Sequence, residues 1–299
     1  MHPYGRNKNQ HASKYGTTQK GKRIFKAIIT AMSIALATAC SNAREETPIE
    51  YLRIKIVVNQ LAANNKLGDN QILFSVVSGK YASYLAKEIG LCKDNEYGCV
   101  YFTQLDPFKN YNEQINETLR QAYIFGDING YAHSNGTIEI PRHVFRIIGD
   151  DDTKLACLIS HEIAHVIEKH DFTSSRELSE RNNQGEGEET EIIEAEISRK
   201  HELLADKKSV ELTTRAGYPA DSCIDFIRFL HESSGDGGLT KEASTHPGVK
   251  ERINALEQID TADFLANNQT KEKISEKAWT YSKAGNFLIF DPQENNYAY

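Results

Sequence analysis

The 299-residue sequence predicts an α+β protein, mostly helical, with a small β-sheet. Leu155, Ile159, Ile163, Val166 and Ile167 recur at helical spacing, the mark of an amphipathic helix with one face in a core. Gln71–Ser78 (QILFSVVS) is a short run of β-branched and aromatic residues, and Thr137–Ile140 alternates apolar with polar, so both read as strands. A composition of 39% hydrophobic and 26% charged residues is ordinary for a globular chain. It excludes a disordered, collagen-like or small disulfide-scaffold protein.

The elements follow from local signals. Thr47 or Glu50 can open a helix running through about Asn64. Residues 79–125 carry no decisive pattern beyond a helix around Glu113–Tyr123. Asn135-Gly136 is a turn signal, and the strand Thr137-Ile138-Glu139-Ile140 reads as a sheet edge because Pro141 stops it. Pro141 also suits the start of a short helix, Arg142–Ile148. After Gly149, the run Asp150 to Thr153 supplies cap candidates for a helix reaching about His170. The polar stretch 172–190 reads as a solvated loop. A second long helix, about Glu191–Ala216, closes at Gly217 and Pro219. Helices near 220–232, 248–259 and 272–283 and a late strand, Asn286 to Phe290, complete the pattern.

Charge divides the chain. Residues 1–39 hold seven bases and no acid; without them 28 bases face 42 acids, a balance of −14. An acidic body lacks the clustered positive charge that neutralises phosphates, so no nucleic-acid partner is expected. Lys20, Lys22 and Arg23 precede an apolar run of 13 residues, Ala27 to Ala39, the length of a signal-peptide core and short of a span. It ends in small residues before Cys40, an order that resembles a bacterial lipoprotein signal with Cys40 as the lipidated residue. The alternatives are an ordinary signal peptide or a buried helix with an incidental cysteine. Ser41, rather than Asp, after the cysteine implies the outer membrane under the bacterial sorting rule. The expected organisation is a signal at 1–39, a tether at 40–46, a main domain at 47–260 and a C-terminal extension of unknown role at 261–299.

Outside the cytoplasm thiols oxidise. Cys92 and Cys99 flank a polar loop and suit a local disulfide, the alternative being a metal pair without a second pair beside it. Cys157 falls on the apolar side of its helix and reads as a small core residue.

The decisive segment is His161-Glu162-Ile163-Ala164-His165. Positions four apart on a helix share a side, so both imidazoles can reach one metal, while Glu162 is offset toward a metal-activated water. A catalytic zinc wants a third protein ligand and an open position. Downstream, His201-Glu202-Leu203-Leu204-Ala205-Asp206 sets Glu202 and Asp206 four apart. His201, the rival ligand, points ~100° away around that helix. A Thr245-His246-Pro247 turn and a helix with Arg252 follow.

Together HEIAHVIEKH (His161–His170), HELLAD (His201–Asp206), STHPGVKERI (Ser244–Ile253) and NGTIEIP (Asn135–Pro141) resemble the HtpX-like and CAAX-prenyl-endopeptidase-like zinc metallopeptidases, of the gluzincin group. The resemblance covers about residues 50–260 and is to the soluble periplasmic lipoprotein branch. It implies a zincin-like domain whose edge strand, Thr137 to Ile140, borders the cleft and pairs with substrate. One Zn2+ per chain would be held by His161, His165 and Glu202, with Glu162 as general base and Asp206 hydrogen-bonded to a ligand histidine. His246 would donate to the oxyanion, close the open zinc position or serve only as the helix entry before Pro247, Arg252 would orient the site or pair with an acid, and His170, five residues past His165 and off the ligand side, would be structural. The implied role is endoproteolytic quality control, with unfolded or misfolded envelope proteins as substrates and a lipid anchor as the sole membrane attachment. The alternative is an inactive zinc-binding lipoprotein acting as a chaperone or assembly factor.

Overall fold

Helix α1 (Ile49–Ala62) begins just after Pro48 and buries Tyr51, Ile54, Val57, Val58 and Leu61 along one side. In this computed structural model the described residues are 46–93, 98–184, 190–234, 246–266 and 273–295. The expected signal peptide, Cys40 and most of the tether fall outside them. None of the helices among the described residues is long and apolar enough to cross a membrane.

Strand β1 (Ile72–Val77) alternates buried and half-buried residues before its last position. Helix α2 (Lys80–Glu88), a 3-10 turn (Val100–Gln104) and helix α3 (Glu113–Phe125) then cross over to β2 (Tyr131–Ala132) and β3 (Thr137–Pro141). This crossover lets β3 lie parallel to β1, since parallel neighbours cannot be joined by a tight turn. Helix α4 (Arg142–Ile148) leads into α5 (Asp152–Ile167), α6 (His170–Gln184), α7 (Thr190–Arg215), α8 (Ser222–Ser234), α9 (Val249–Glu257) and α10 (Ala262–Ala266). The chain closes with a 3-10 turn (Glu276–Ala278), β4 (Trp279–Ser282), β5 (Phe287–Phe290) and α11 (Pro292–Asn295).

The sheet order is β2-β3-β1-β5-β4, with β1/β3 parallel and the other pairs antiparallel. One core joins the sheet residues Phe74, Ile138, Ile140 and Phe290 to Leu155, Ile159 and Ile163 of α5 and to α1. Tyr51 stitches three elements: its hydroxyl accepts from Val76 N at 3.0 Å and lies 2.7 Å from the Asn286 carbonyl, to which it donates. Asn286 returns a hydrogen bond from Nδ2 to Val76 O at 2.7 Å.

Three sequence expectations are corrected. Thr137 to Ile140 is not the sheet edge. Tyr131 and Ala132 pair with Glu139 and Ile138, and the edge on that side is β2, because the Asn135-Gly136 turn closes a hairpin instead of leading into a lone strand. Residues 172–184 are helical rather than loop. The helix is polar because it lies on the surface and is held by ion pairs to α7, Glu177–Lys200 at 3.0 Å and Arg181–Glu196 at 3.0 Å. Its two large apolar residues, Phe172 and Leu178, form no stripe, and Phe172 is 64% exposed. The helix expected at 272–283 is a 3-10 turn and β4, where Trp279 sits opposite Phe290 with ring centroids 4.9 Å apart. Beyond residue 260 the chain contributes to the sheet, where β5 lies between β1 and β4.

Cys92 and Cys99 are joined by a disulfide. Cys157 is buried in the core, but it is also bonded to Cys223, because α8 packs on α5 and brings the two Cα atoms to 5.2 Å.

Candidate metal centre

Asp151 caps α5, its carboxylate accepting from the backbone N–H groups of Thr153 at 3.0 Å and Lys154 at 3.1 Å. Leu155, Ile159 and Ile163 are fully buried against the core. That orientation turns His161 and His165 to the opposite side, toward α7. The 26-residue α7 runs across α5 and presents Glu202 and Asp206 from adjacent turns.

The two helices bring three donors together. His161 Nε2 and His165 Nε2 are 3.1 Å apart, and each is 3.4 Å from an oxygen of Glu202. His161, His165 and Glu202 are the set that could hold a metal ion among the described residues. Metal–ligand bonds of about 2.0–2.1 Å at tetrahedral angles separate donor atoms by about 3.3 Å. The observed spacings match that edge length, and two neutral nitrogens with one carboxylate are a donor set suited to zinc. The residues therefore fit the ion. His201 is not part of the set: its Nδ1 is 2.6 Å from Ser174 Oγ.

Asp206 lies behind His161, its Oδ1 3.0 Å from Nδ1, at ion-pair distance without a well-aligned hydrogen bond. Arg252 grips the same carboxylate with two bonds, Nε to Oδ2 at 2.7 Å and Nη2 to Oδ1 at 2.6 Å. His246, with a 59% exposed side chain, reaches Glu202 Oε2 with Nδ1 at 3.3 Å from the rim.

The protonation pattern is that of a cage for a cation. Burial would raise the Glu202 carboxyl, but His161 and His246 beside it hold it well below the usual range. Burial would lower His161, yet its contacts with Asp206 and Glu202 push it up to about 10. Burial, reinforced by the charge on His161, pushes His165 down to about 3. The carboxylates of Glu202 and Asp206 beside His161 thus make this a place that favours positive charge, as a bound divalent cation would require.

Glu162 is 4% exposed, and burial pushes its carboxyl up to about 7, against the opposing charge of His161. It lies against the backbone of Gly130, where an added Cβ would come within 2.6 Å of Glu162 Cγ and 2.7 Å of Oε1. These groups line a cleft of about 850 Å3. Its walls include the β2–β3 hairpin from Asn129 to Gly136 and the apolar side chains of Leu158, Phe226, Ile227 and Leu230.

Sequence reasoning missed Gly130, whose surroundings carry no motif. His170, read as structural, lies outside the donor set, and its Nδ1 is 3.1 Å from His165 Nδ1. The left-handed Lys169 (φ 54°) between α5 and α6 brings it there, and nothing local announces that kink.

A model of peptidase family M48 matches residues 188–260. The match supports that metallopeptidase family. It spans α7 with Glu202 and Asp206, and also His246 and Arg252, while His161 and His165 lie outside it and are brought to Glu202 by the fold. No curated protein and no solved structure matches the chain.

Proposed function

We propose that the protein is a zinc endopeptidase of the M48 kind that degrades unfolded or damaged cell-envelope proteins. The observation that carries this reading is the convergence of His161, His165 and Glu202 at spacings of 3.1 to 3.4 Å, with the Glu162 carboxyl buried beside them. When bound, a zinc ion supplies a Lewis acid for a peptide carbonyl and a water acidic enough to ionise near neutral pH.

The chain's own residues do the rest. Glu162 takes a proton from the attacking water at its carboxylate and hands it to the leaving amine nitrogen. Asp206, itself clamped by Arg252, orients the His161 ring from behind. His246, at the rim of the cleft, is placed to donate a hydrogen bond to the carbonyl oxygen as charge develops there. An extended substrate would run along β2, the edge strand whose residues line the cleft. The polypeptide substrate class rests on the peptidase family match; attachment through a lipid on Cys40 and a periplasmic site at the outer membrane complete the proposal and rest on the order of basic, apolar and small residues before Cys40 and on Ser41 after it.

Zinc content and casein cleavage, measured on wild type and Glu162→Gln, test the reading. The expected result is one zinc in each protein, with cleavage lowered about 10²–10⁴-fold in the variant, the span of general-base contributions. Zinc in both with no cleavage in either overturns the peptidase reading, and zinc in neither overturns the metal site.

A further inference from the structure

His170 follows His165 by five residues, and on an unbroken helix its side chain would point about 140° away. The helix is broken. Helix α5 ends at Ile167, Lys169 adopts a φ of 54°, and α6 starts at His170. A left-handed backbone is uncommon for an L residue such as lysine, and here it ends one helix and redirects the chain into the next.

The step returns His170 to His165. Their Nδ1 atoms are 3.1 Å apart, and the rings meet edge to face with centroids 4.9 Å apart. The other side of the arrangement is equally constrained. His170 stacks on His201 at 4.7 Å and an interplanar angle of 6°. His201 is in turn anchored by Ser174 at 2.6 Å, and its Nε2 is 3.7 Å from Glu177. Both rings are buried.

His165 turns Nε2 toward His161 and Glu202, which leaves Nδ1 as the nitrogen facing His170. A histidine that ligates through Nε2 carries its proton on Nδ1 and needs an acceptor for it. Asp206 stands behind Nδ1 of His161, and the matching position behind His165 is filled by the His170 ring. We propose that His170 is a positioning residue: its Nδ1 accepts the Nδ1–H of His165, fixing the tautomer and ring angle that aim His165 Nε2 at the metal. His201 and Ser174 hold the acceptor in place from its far face. The inference rests on the metal reading of His161, His165 and Glu202.

Zinc affinity separates this role from simple packing. It is measured on the full chain by competition with a fluorescent chelator, for wild type, His165→Ala, His170→Asn, His170→Leu and His170→Gln. Asn carries an oxygen at the same number of bonds from Cβ as the imidazole Nδ1, Leu has nearly the same shape as Asn without an acceptor, and Gln places its oxygen one bond further out. The expected result is wild-type affinity for His170→Asn and about 10–100-fold weaker binding for His170→Leu and His170→Gln, the usual loss when a partner of a ligand is removed. Thermal unfolding of the metal-free proteins identifies any variant that fails to fold. If His170→Leu does not fold, the comparison of Asn with Gln decides, since both are polar. Leu or Gln binding as tightly as wild type, or Asn as weakly as Leu, overturns the role of His170. A wild type without zinc, or a His165→Ala variant with undiminished affinity, overturns the metal reading beneath it.

Discussion

Glu162 shows how much a single position can depend on a neighbour with no side chain. Gly130 lets the backbone pass so close that a methyl group would overlap Glu162 Cγ and Oε1, at 2.6 and 2.7 Å. Its backbone conformation is open to any residue, so the constraint is steric. Gly130→Ala should therefore fold and bind zinc as wild type does while kcat falls about 100-fold, the scale of a 1 Å misplacement of a catalytic group. Steady-state kinetics beside zinc content checks this, and an unchanged kcat would show that Glu162 has room to move. At this scale the sequence was informative where chemistry is written in spacing: His161 and His165 four apart, Glu202 and Asp206 four apart. It was silent on Gly130, which meets Glu162 only where two segments cross, and on the contact of His170 with His165, which depends on the left-handed turn at Lys169.

Between elements, α5 and α8 are joined by the Cys157–Cys223 bond, 66 residues apart, whereas Cys92–Cys99 closes only a short loop with a separation of 7. In the chain-entropy account a loop of that longer size stabilises by about 4 kcal/mol, against about 2 kcal/mol for the shorter one. The Cys157→Ser/Cys223→Ser double variant should thus lose roughly twice as much stability in urea unfolding as Cys92→Ser/Cys99→Ser. Equal losses would mean that strain or residual structure outweighs chain entropy. Cys157 lies one turn before His161, so this bond also secures the helix that carries the site. Regular amphipathic helices such as α5 were legible from the sequence. The polar α6 was not, because its partners are the charges of α7 rather than a core.

Over the whole molecule, the sheet is assembled from distant parts of the chain. β5 pairs with β1 through Phe290↔Ile72, Ile289↔Leu73 and Leu288↔Phe74. Leu288 and Phe290 are buried, and Asn286 bonds both Tyr51 and Val76. Truncation after residue 272 would expose one side of β1 and strand the Tyr51 hydroxyl. Such a chain should lose the cooperative thermal transition of the full protein, measured by circular dichroism; a retained transition would make the last two strands dispensable. The matched family segment, 188–260, supplies Glu202 but stops before these strands and begins after the histidine pair.

By itself the sequence determined the donor types and their local spacing, since four residues on a helix return to the same side whatever surrounds it. It also determined the mostly helical α+β character, through periodicity set by burial. Only the tertiary structure decided that Glu202 meets the two imidazoles, that β2 rather than β3 is the free edge, and that His170 backs His165. The first depends on how separate segments cross in space, and the other two on how the chain turns back on itself between near neighbours; neither leaves a trace in the periodicity of one segment alone.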